Sequence, residues 1–161
     1  ERLHLLGTDQ SPTRFSRFLD AVCGQVPLLI EIKSFPDYHV EESVAAVIRD
    51  LRNYHGKHAL MSFDPRVASW ARKHSPQTCV GLVMREDEHG YTQTQDVRDT
   101  AFAIAQPDFL AYHVAALPNP WVQSLRAGGL PVLTWTVNSP ETRAKALAHA
   151  DALITEGGGL A

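Results

Sequence analysis

The chain has little of what marks several common classes of protein. Among its 161 residues are two cysteines, Cys23 and Cys79, too few for a disulfide scaffold and without metal-site spacing. Both lie in or beside apolar stretches and read as small core residues, in keeping with a reducing, cytoplasmic setting. No apolar run reaches the length of a membrane span, and the first residues carry no signal-peptide pattern. The net charge of -3 provides no broad cationic surface, which argues against nucleic acid or an anionic membrane as main partner. The glycine fingerprint of dinucleotide-binding folds and the Walker A loop are both absent. Gly157-Gly158-Gly159 has no helix after it, so it reads as a flexible tail and not as a phosphate loop. What remains is an ordinary globular composition, 44% hydrophobic and 20% charged, in a chain long enough for one domain with a core.

Six strand-like runs recur every 20 to 30 residues, the length of a βα unit. They are 27–33, 58–63, 78–83, 109–114, 131–137 and 152–155. Most are continuous in apolar residues instead of alternating, as in strands covered on both faces. Helix signals fill the gaps. Val44, Val47, Ile48 and Leu51 share a helical face between Glu41 and Tyr54. Ser11-Pro12, Asp64-Pro65, Asn119-Pro120 and Ser139-Pro140 each read as a cap residue followed by proline at the first helical position. A further helix is predicted from near Gln95 to Ala105. Glu86-Asp87-Glu88-His89-Gly90 before it reads as an exposed loop. Strands and helices in this order leave two architectures: an open doubly wound sheet, or a TIM-type (β/α)8 barrel of which two units are missing.

The first run ends in Glu31-Ile32-Lys33. Strand side chains alternate, so Glu31 and Lys33 share one face where the apolar run gives out. Carboxyl ends of strands are where parallel α/β sheets bind ligands. A carboxylate and an ammonium there can hold a metal ion and a phosphate, or simply pair with each other. Phe35, two residues on, borders the same face if the strand continues. Ser62 and Phe63 fall at the top of the second strand, and Asp64 serves better as a helix cap than as a catalytic acid. Asn138 ends the fifth run, where it steadies the following loop. Of the eight histidines, His39, His55, His58, His74 and His89 read as surface residues, whereas His113 falls near a strand end facing the site. Trp70 and Trp121 read as packing on helix faces. Ser62 lacks nucleophile-elbow context, which argues against a serine hydrolase.

Several segments, taken in order, resemble the glycerophosphodiester phosphodiesterase family. They are Pro12-Thr13 with Phe18-Leu19 and Val22, Glu31-Ile32-Lys33, Ser62-Phe63-Asp64, and Trp135-Thr136-Val137-Asn138 followed by Asp151 to Thr155. The resemblance implies a TIM-type barrel of which this chain supplies strands three to eight. It implies hydrolysis of glycerophosphodiesters to sn-glycerol 3-phosphate and an alcohol with a divalent metal, Ca²⁺ or Mg²⁺. Glu31 would be a metal ligand, Lys33 would contact the substrate phosphate, and Trp135 would line the pocket with Phe35, Phe63 and His113 as further lining. The chemistry is compatible, since both metals prefer carboxylate oxygen and lysine is a compact charge for phosphate. The family's catalytic histidine pair and remaining acidic ligands belong to the first two strands, so no catalytic residue is assigned in this chain. After the last strand the family's "TD.P" is replaced by Thr155-Glu156-Gly157. These departures point to a fragment of a longer enzyme, inactive by itself and completed by the missing N-terminal barrel segment. A non-catalytic barrel that keeps the pocket, or a phosphodiesterase of the sphingomyelinase D type, are the alternatives.

Overall fold

The computed structural model describes residues 4–35 and 37–160. Six parallel strands alternate with helices: β1 Leu28–Glu31, β2 His58–Ser62, β3 Cys79–Met84, β4 Phe109–His113, β5 Val132–Val137 and β6 Ala152–Thr155. The helices are α1 Phe15–Val22, α2 Val40–Leu51, α3 Pro65–His74, α4 Gln95–Ala105, α5 Pro120–Ala127 and α6 Pro140–His149. Spatial order equals chain order, β1-β2-β3-β4-β5-β6. A doubly wound sheet reverses direction at a switch point and cannot give this order. An open portion of a (β/α) barrel does.

The two faces of the sheet carry different cores. Leu60, Val80, Leu82, Leu110, Tyr112 and Val132 pack with helix residues such as Val44, Val67, Ala71 and Val122. On the other face Val83, Phe109 and Ala111 gather Ala59, Met61, Leu133, Trp135 and Ile154, together with Phe63. That second cluster contains no helix residue. The curled sheet covers its own inner face, which is why its strands read as nearly continuous apolar runs.

Three cap-and-proline signals form as the sequence predicts. Asp64 accepts the Arg66 N–H, Asn119 accepts from Trp121 and Val122, and Ser139 builds a capping box with Thr142. Ser11-Pro12 does not start a helix. α1 begins at Phe15, and Arg14 before it makes no side-chain cap bond. Gly157-Gly158-Gly159 is a 3-10 turn through Leu160 and not a loose tail. A Cβ at Gly159 would lie 1.9 Å from the Val137 carbonyl oxygen, so only glycine lets the turn pack there. Cys23 and Cys79 are exposed, contrary to the core reading: Cys23 sits at the C-cap of α1 in a left-handed conformation, and Cys79 at the amino end of β3.

The amino ends of the strands are tied by a repeated latch. Asp108, just before β4, accepts the Val80 N–H of β3 at 2.8 Å and pairs with Arg72 of α3 at 3.1 Å. Asp151, just before β6, accepts the Val132 N–H of β5 at 2.8 Å and pairs with Arg126 of α5 at 2.8 Å. Those bonds hold the Asp151 carboxyl below the usual carboxylate range, the backbone donor first and Arg126 after it.

Candidate active site

At the carboxyl ends of the strands lies a cavity of about 440 Å³. Glu31, Lys33, Phe35, Phe63 and Trp135 all line it. The sheet register explains the convergence. Glu31 pairs with Met61, Met61 with Gly81 and Gly81 with Phe109, so this level belongs to the lower inner wall. One step up are Val83, Ala111 and Leu133, which follow each other in register across β3, β4 and β5. A further two residues along each strand bring Arg85, His113 and Trp135 to the rim.

Glu31 is set at the inner end of the cavity. The Lys33 ammonium lies 2.8 Å from its Oε1, while the Lys33 side chain remains 70% exposed. Oε1 is buried, and the Lys33 ammonium is the charge that answers it. One carboxylate oxygen facing a cavity fits a single ligand position of a hard divalent cation. Among the described residues no three His, Cys, Asp or Glu side chains are grouped to hold a metal.

Trp135 forms a wall. Its ring nitrogen donates to the Ala111 carbonyl at 3.0 Å, and the Phe63 ring meets it edge-on at 5.4 Å. The Arg85 guanidinium lies 5.6 Å from the centre of the indole. His113 does not line the cavity. Its ring stands 4.9 Å from that of Trp135, outside the lining, and its Nδ1 is 3.7 Å from Asp87. Burial, and then the Arg85 charge, lower the His113 pKa against the opposing pull of Asp87.

Sequence reasoning missed Arg85, His89 and Tyr91, which line the cavity on its β3 side. The segment from Glu86 to Gly90 is not a simply exposed loop. Asp87 binds the Arg85 Nε and a terminal nitrogen together, which holds the guanidinium charged and the Asp87 carboxyl low. Gly90 leaves room for the Arg85 side chain, since a Cβ there would fall 2.4 Å from Arg85 Cγ. Glu86 accepts from Tyr112, from Asn119 at 2.7 Å and pairs with the buried Arg98 at 3.1 Å. Burial, and then the Glu86 carboxylate, push the Tyr112 hydroxyl well above its ordinary range. The one available signal was positional: Arg85 follows a strand end as Lys33 does.

Ser62 and Asp64 serve the frame. Ser62 donates to the Ile32 carbonyl at 2.7 Å and accepts the Asp64 N–H. Burial raises the Asp64 carboxyl, but hydrogen bonds from Arg66 and Ser34 outweigh it and leave it lowered. Asn138 donates its N–H to Thr142, and its carbonyl lies against the Gly158 turn.

The model of the glycerophosphoryl diester phosphodiesterase family matches residues 8–157. The chain belongs to that family. Its fold is similar to that of a candidate glycerophosphoryl diester phosphodiesterase from Silicibacter pomeroyi DSS-3. The two are 27% identical with a TM-score of 0.77, over 91% of this chain and 54% of that one. The glycerophosphodiester phosphodiesterase of Thermotoga maritima is 21% identical with a TM-score of 0.67, over 89% of this chain and 59% of that one. An Oleispira antarctica phosphodiesterase, solved in complex with the product sn-glycerol-3-phosphate, is 18% identical with a TM-score of 0.66, over 84% of this chain and 53% of that one. The chain thus spans little more than half the length of these family structures. No curated protein sequence matches it. Among the described residues no helix is long and apolar enough to cross a membrane.

Proposed function

We propose that the protein carrying this chain is a metal-dependent phosphodiesterase that hydrolyses glycerophosphodiesters to sn-glycerol 3-phosphate and an alcohol. Within it the chain supplies strands three to eight of an eight-stranded barrel. The observation that carries this reading is the buried Glu31 oxygen, paired with the exposed Lys33 ammonium, in the wall of a cavity that Lys33 and Trp135 also line. The family match over residues 8–157 supports the reaction class. The histidine pair and the other acidic ligands of the family come from outside this chain, in the portion of the family structures that it does not span.

Each residue has a task in this reading. Glu31 contributes one carboxylate to a divalent cation, Ca²⁺ or Mg²⁺. When bound, that cation neutralises charge on the phosphoryl oxygens. Lys33 offers three donors and a full positive charge to a phosphate oxygen. Its exposure lets the ammonium swing from Glu31 to the substrate, and the ion pair at 2.8 Å keeps it near until then. Charge grows on the phosphoryl oxygens as the bond to the leaving alcohol lengthens, so a fixed cation there favours the transition state over the ground state. Trp135 presents an apolar wall to the carbon skeleton of the glycerol and keeps water off that side. Arg85 adds a second cation at the rim, pre-positioned by Asp87.

The test uses the native protein that carries this chain. Glycerol 3-phosphate release from glycerophosphocholine is measured with and without chelator, for wild type, Glu31→Gln and Lys33→Met. We expect chelator to abolish turnover. Lys33→Met should lower kcat/KM about 10²-fold while metal binding, read by calorimetry, is kept. Turnover indifferent to both chelator and Glu31→Gln would sink the reading. Tight binding of glycerol 3-phosphate without any turnover would identify a binding module instead.

A further inference from the structure

The connection after β3 is built around one side chain. Thr92 holds both backbone groups of Arg85: the Arg85 N–H donates to Thr92 Oγ1 at 3.2 Å, and the Thr92 hydroxyl donates to the Arg85 carbonyl at 2.8 Å. Arg98, itself buried, then ties the two ends of the connection together. It donates to the Thr92 and Gln93 carbonyls at 3.1 and 2.8 Å and pairs with Glu86 at 3.1 Å. The guanidinium of Arg85 is aimed as well. Asp87 takes its Nε and Nη2, and the centre of the Trp135 indole lies 5.6 Å from it. A guanidinium has five N–H groups, of which Asp87 uses two. No acceptor among the described residues meets Nη1, so the end-on edge made by Nη1 and the second Nη2 proton is open. Arg85 lines the strand-end cavity, and that edge is what it has left to offer a ligand there.

We propose that Arg85 is a specificity-determining residue that receives an anionic group on the alcohol arm, so that the cavity prefers glycerophosphodiesters whose leaving alcohol carries a carboxylate. The inference rests on the phosphodiesterase reading and names the headgroup. Strand order sets β1 and β3 two places apart, roughly 10 Å. Lys33 and Arg85 therefore suit two separate anionic groups of one molecule better than two oxygens of one phosphorus. With the phosphate at Lys33 and the glycerol carbons on Trp135, the alcohol arm is left to meet Arg85. A planar carboxylate fits the open fork through two parallel N–H bonds. A hydroxyl uses one N–H and none of the charge, and an ammonium is repelled. The acids around the arc do not cancel this. Asp87 is spent on the side of the guanidinium, and Glu86 is held by Arg98, Tyr112 and Asn119. The Glu88 side chain is 81% exposed and outside the lining, where solvent screens it. Glu31, the one acid of the lining, is answered by Lys33. His89 and Tyr91 bring further hydrogen-bonding groups to the same wall. The reaction stays a net hydrolysis: the phosphorus–oxygen bond to the alcohol breaks, a water oxygen ends on phosphorus, and the departing alcohol oxygen takes a proton.

Glycerophosphoserine and glycerophosphoethanolamine differ by one carboxylate on the alcohol arm, which makes them a matched pair. Release of glycerol 3-phosphate from each is measured with the native protein carrying this chain, as wild type and as Arg85→Gln. We expect the wild-type kcat/KM to be at least about tenfold higher for the serine ester, the size of one charge-assisted hydrogen-bonded contact. Arg85→Gln should bring that ratio close to one. Both esters meet the same preparation, so any loss of folded protein cancels in the ratio. A wild-type ratio near one overturns the proposal and leaves the phosphodiesterase reading in place. Equal losses on both esters in Arg85→Gln overturn it too, because Arg85 would then serve the phosphate they share. If neither ester turns over, calorimetric binding separates the two readings. Glycerophosphoserine bound at least about tenfold tighter than glycerophosphoethanolamine, with the difference lost in Arg85→Gln, upholds the anion contact while the phosphodiesterase reading fails. Equal binding of the two esters overturns the anion contact.

Discussion

The two ends of the sheet use the same kind of charges in opposite ways. At the amino ends Asp108 and Asp151 each accept a strand N–H and face an arginine, so their charges are consumed by the frame. At the carboxyl ends Glu31 is answered by the exposed ammonium of Lys33, and both line a cavity. At one end the carboxylates are tied to the backbone as well as to a cation; at the other the carboxylate has only an exposed ammonium beside an open cavity. The β3 side of the rim combines both. Arg85 reaches the cavity, while Glu86 next to it is locked into packing with Arg98 of α4.

The contrast can be broken first at Glu31. Glu31→Gln should lower turnover of the native protein by about 10³-fold, while chemical denaturation shows stability unchanged or raised by up to ~1 kcal/mol. A large loss of stability in that variant would mean that Glu31 belongs to the frame. The next largest effect falls on the packed part of the rim. Arg98→Ala leaves the Glu86 carboxylate without its cation and should cost about 3 kcal/mol in urea unfolding, with activity per folded molecule lowered only through Arg85. At the amino ends, Asp108→Ala and Asp151→Ala should each cost about 1–2 kcal/mol, reduced from the full charged hydrogen-bond value because both side chains are partly exposed. Neither should alter KM, and a changed KM would show that the two ends communicate.

The smallest effect is a pH slope. His113 has a lowered pKa in the folded protein, so the unfolded chain binds its proton first as pH falls. Stability from this group is fully present above the unfolded value, about 6.5, and is lost as pH drops from there through the folded value. His113→Gln should flatten the stability profile in that window. Asp151 acts in the same direction in a more acidic range, since its carboxyl is lowered: its contribution is present above the unfolded value near 4 and is lost below it. If His113→Gln leaves the slope near pH 6 unchanged, burial against Trp135 does not govern its proton.

Much of the frame was legible in the sequence because its signals are local. The last strand, Ala152–Thr155, and the start of α4 at Gln95 fall where the residues placed them, and Asp64, Asn119 and Ser139 cap helices as cap-proline pairs should. Ser11-Pro12 carries the same local signal, but Thr13 and Arg14 intervene before Phe15, the first residue to pack its helix on the core. Glu31 and Lys33 were legible as a pair from strand alternation alone. Arg85 and its neighbours were not, because Glu86 finds Arg98, Tyr112 and Asn119, partners 12, 26 and 33 residues away by their numbers. The cysteines misled because apolar neighbours in sequence do not decide burial at the edge of an element, where both of them sit.

Strand order that equals chain order turns the rim into a dial. Read around it, the sectors come up as Glu31 to Phe35, then Phe63, then Arg85 to Tyr91, then Trp135 and Thr136, then Ile154. Each sector is carried by the end of one strand or by the connection that follows it. A change of length or composition in any connection therefore rewrites one arc of the opening and leaves its neighbours in register. The arc after β3, which carries Arg85, His89 and Tyr91, can thus change without disturbing Glu31 and Lys33.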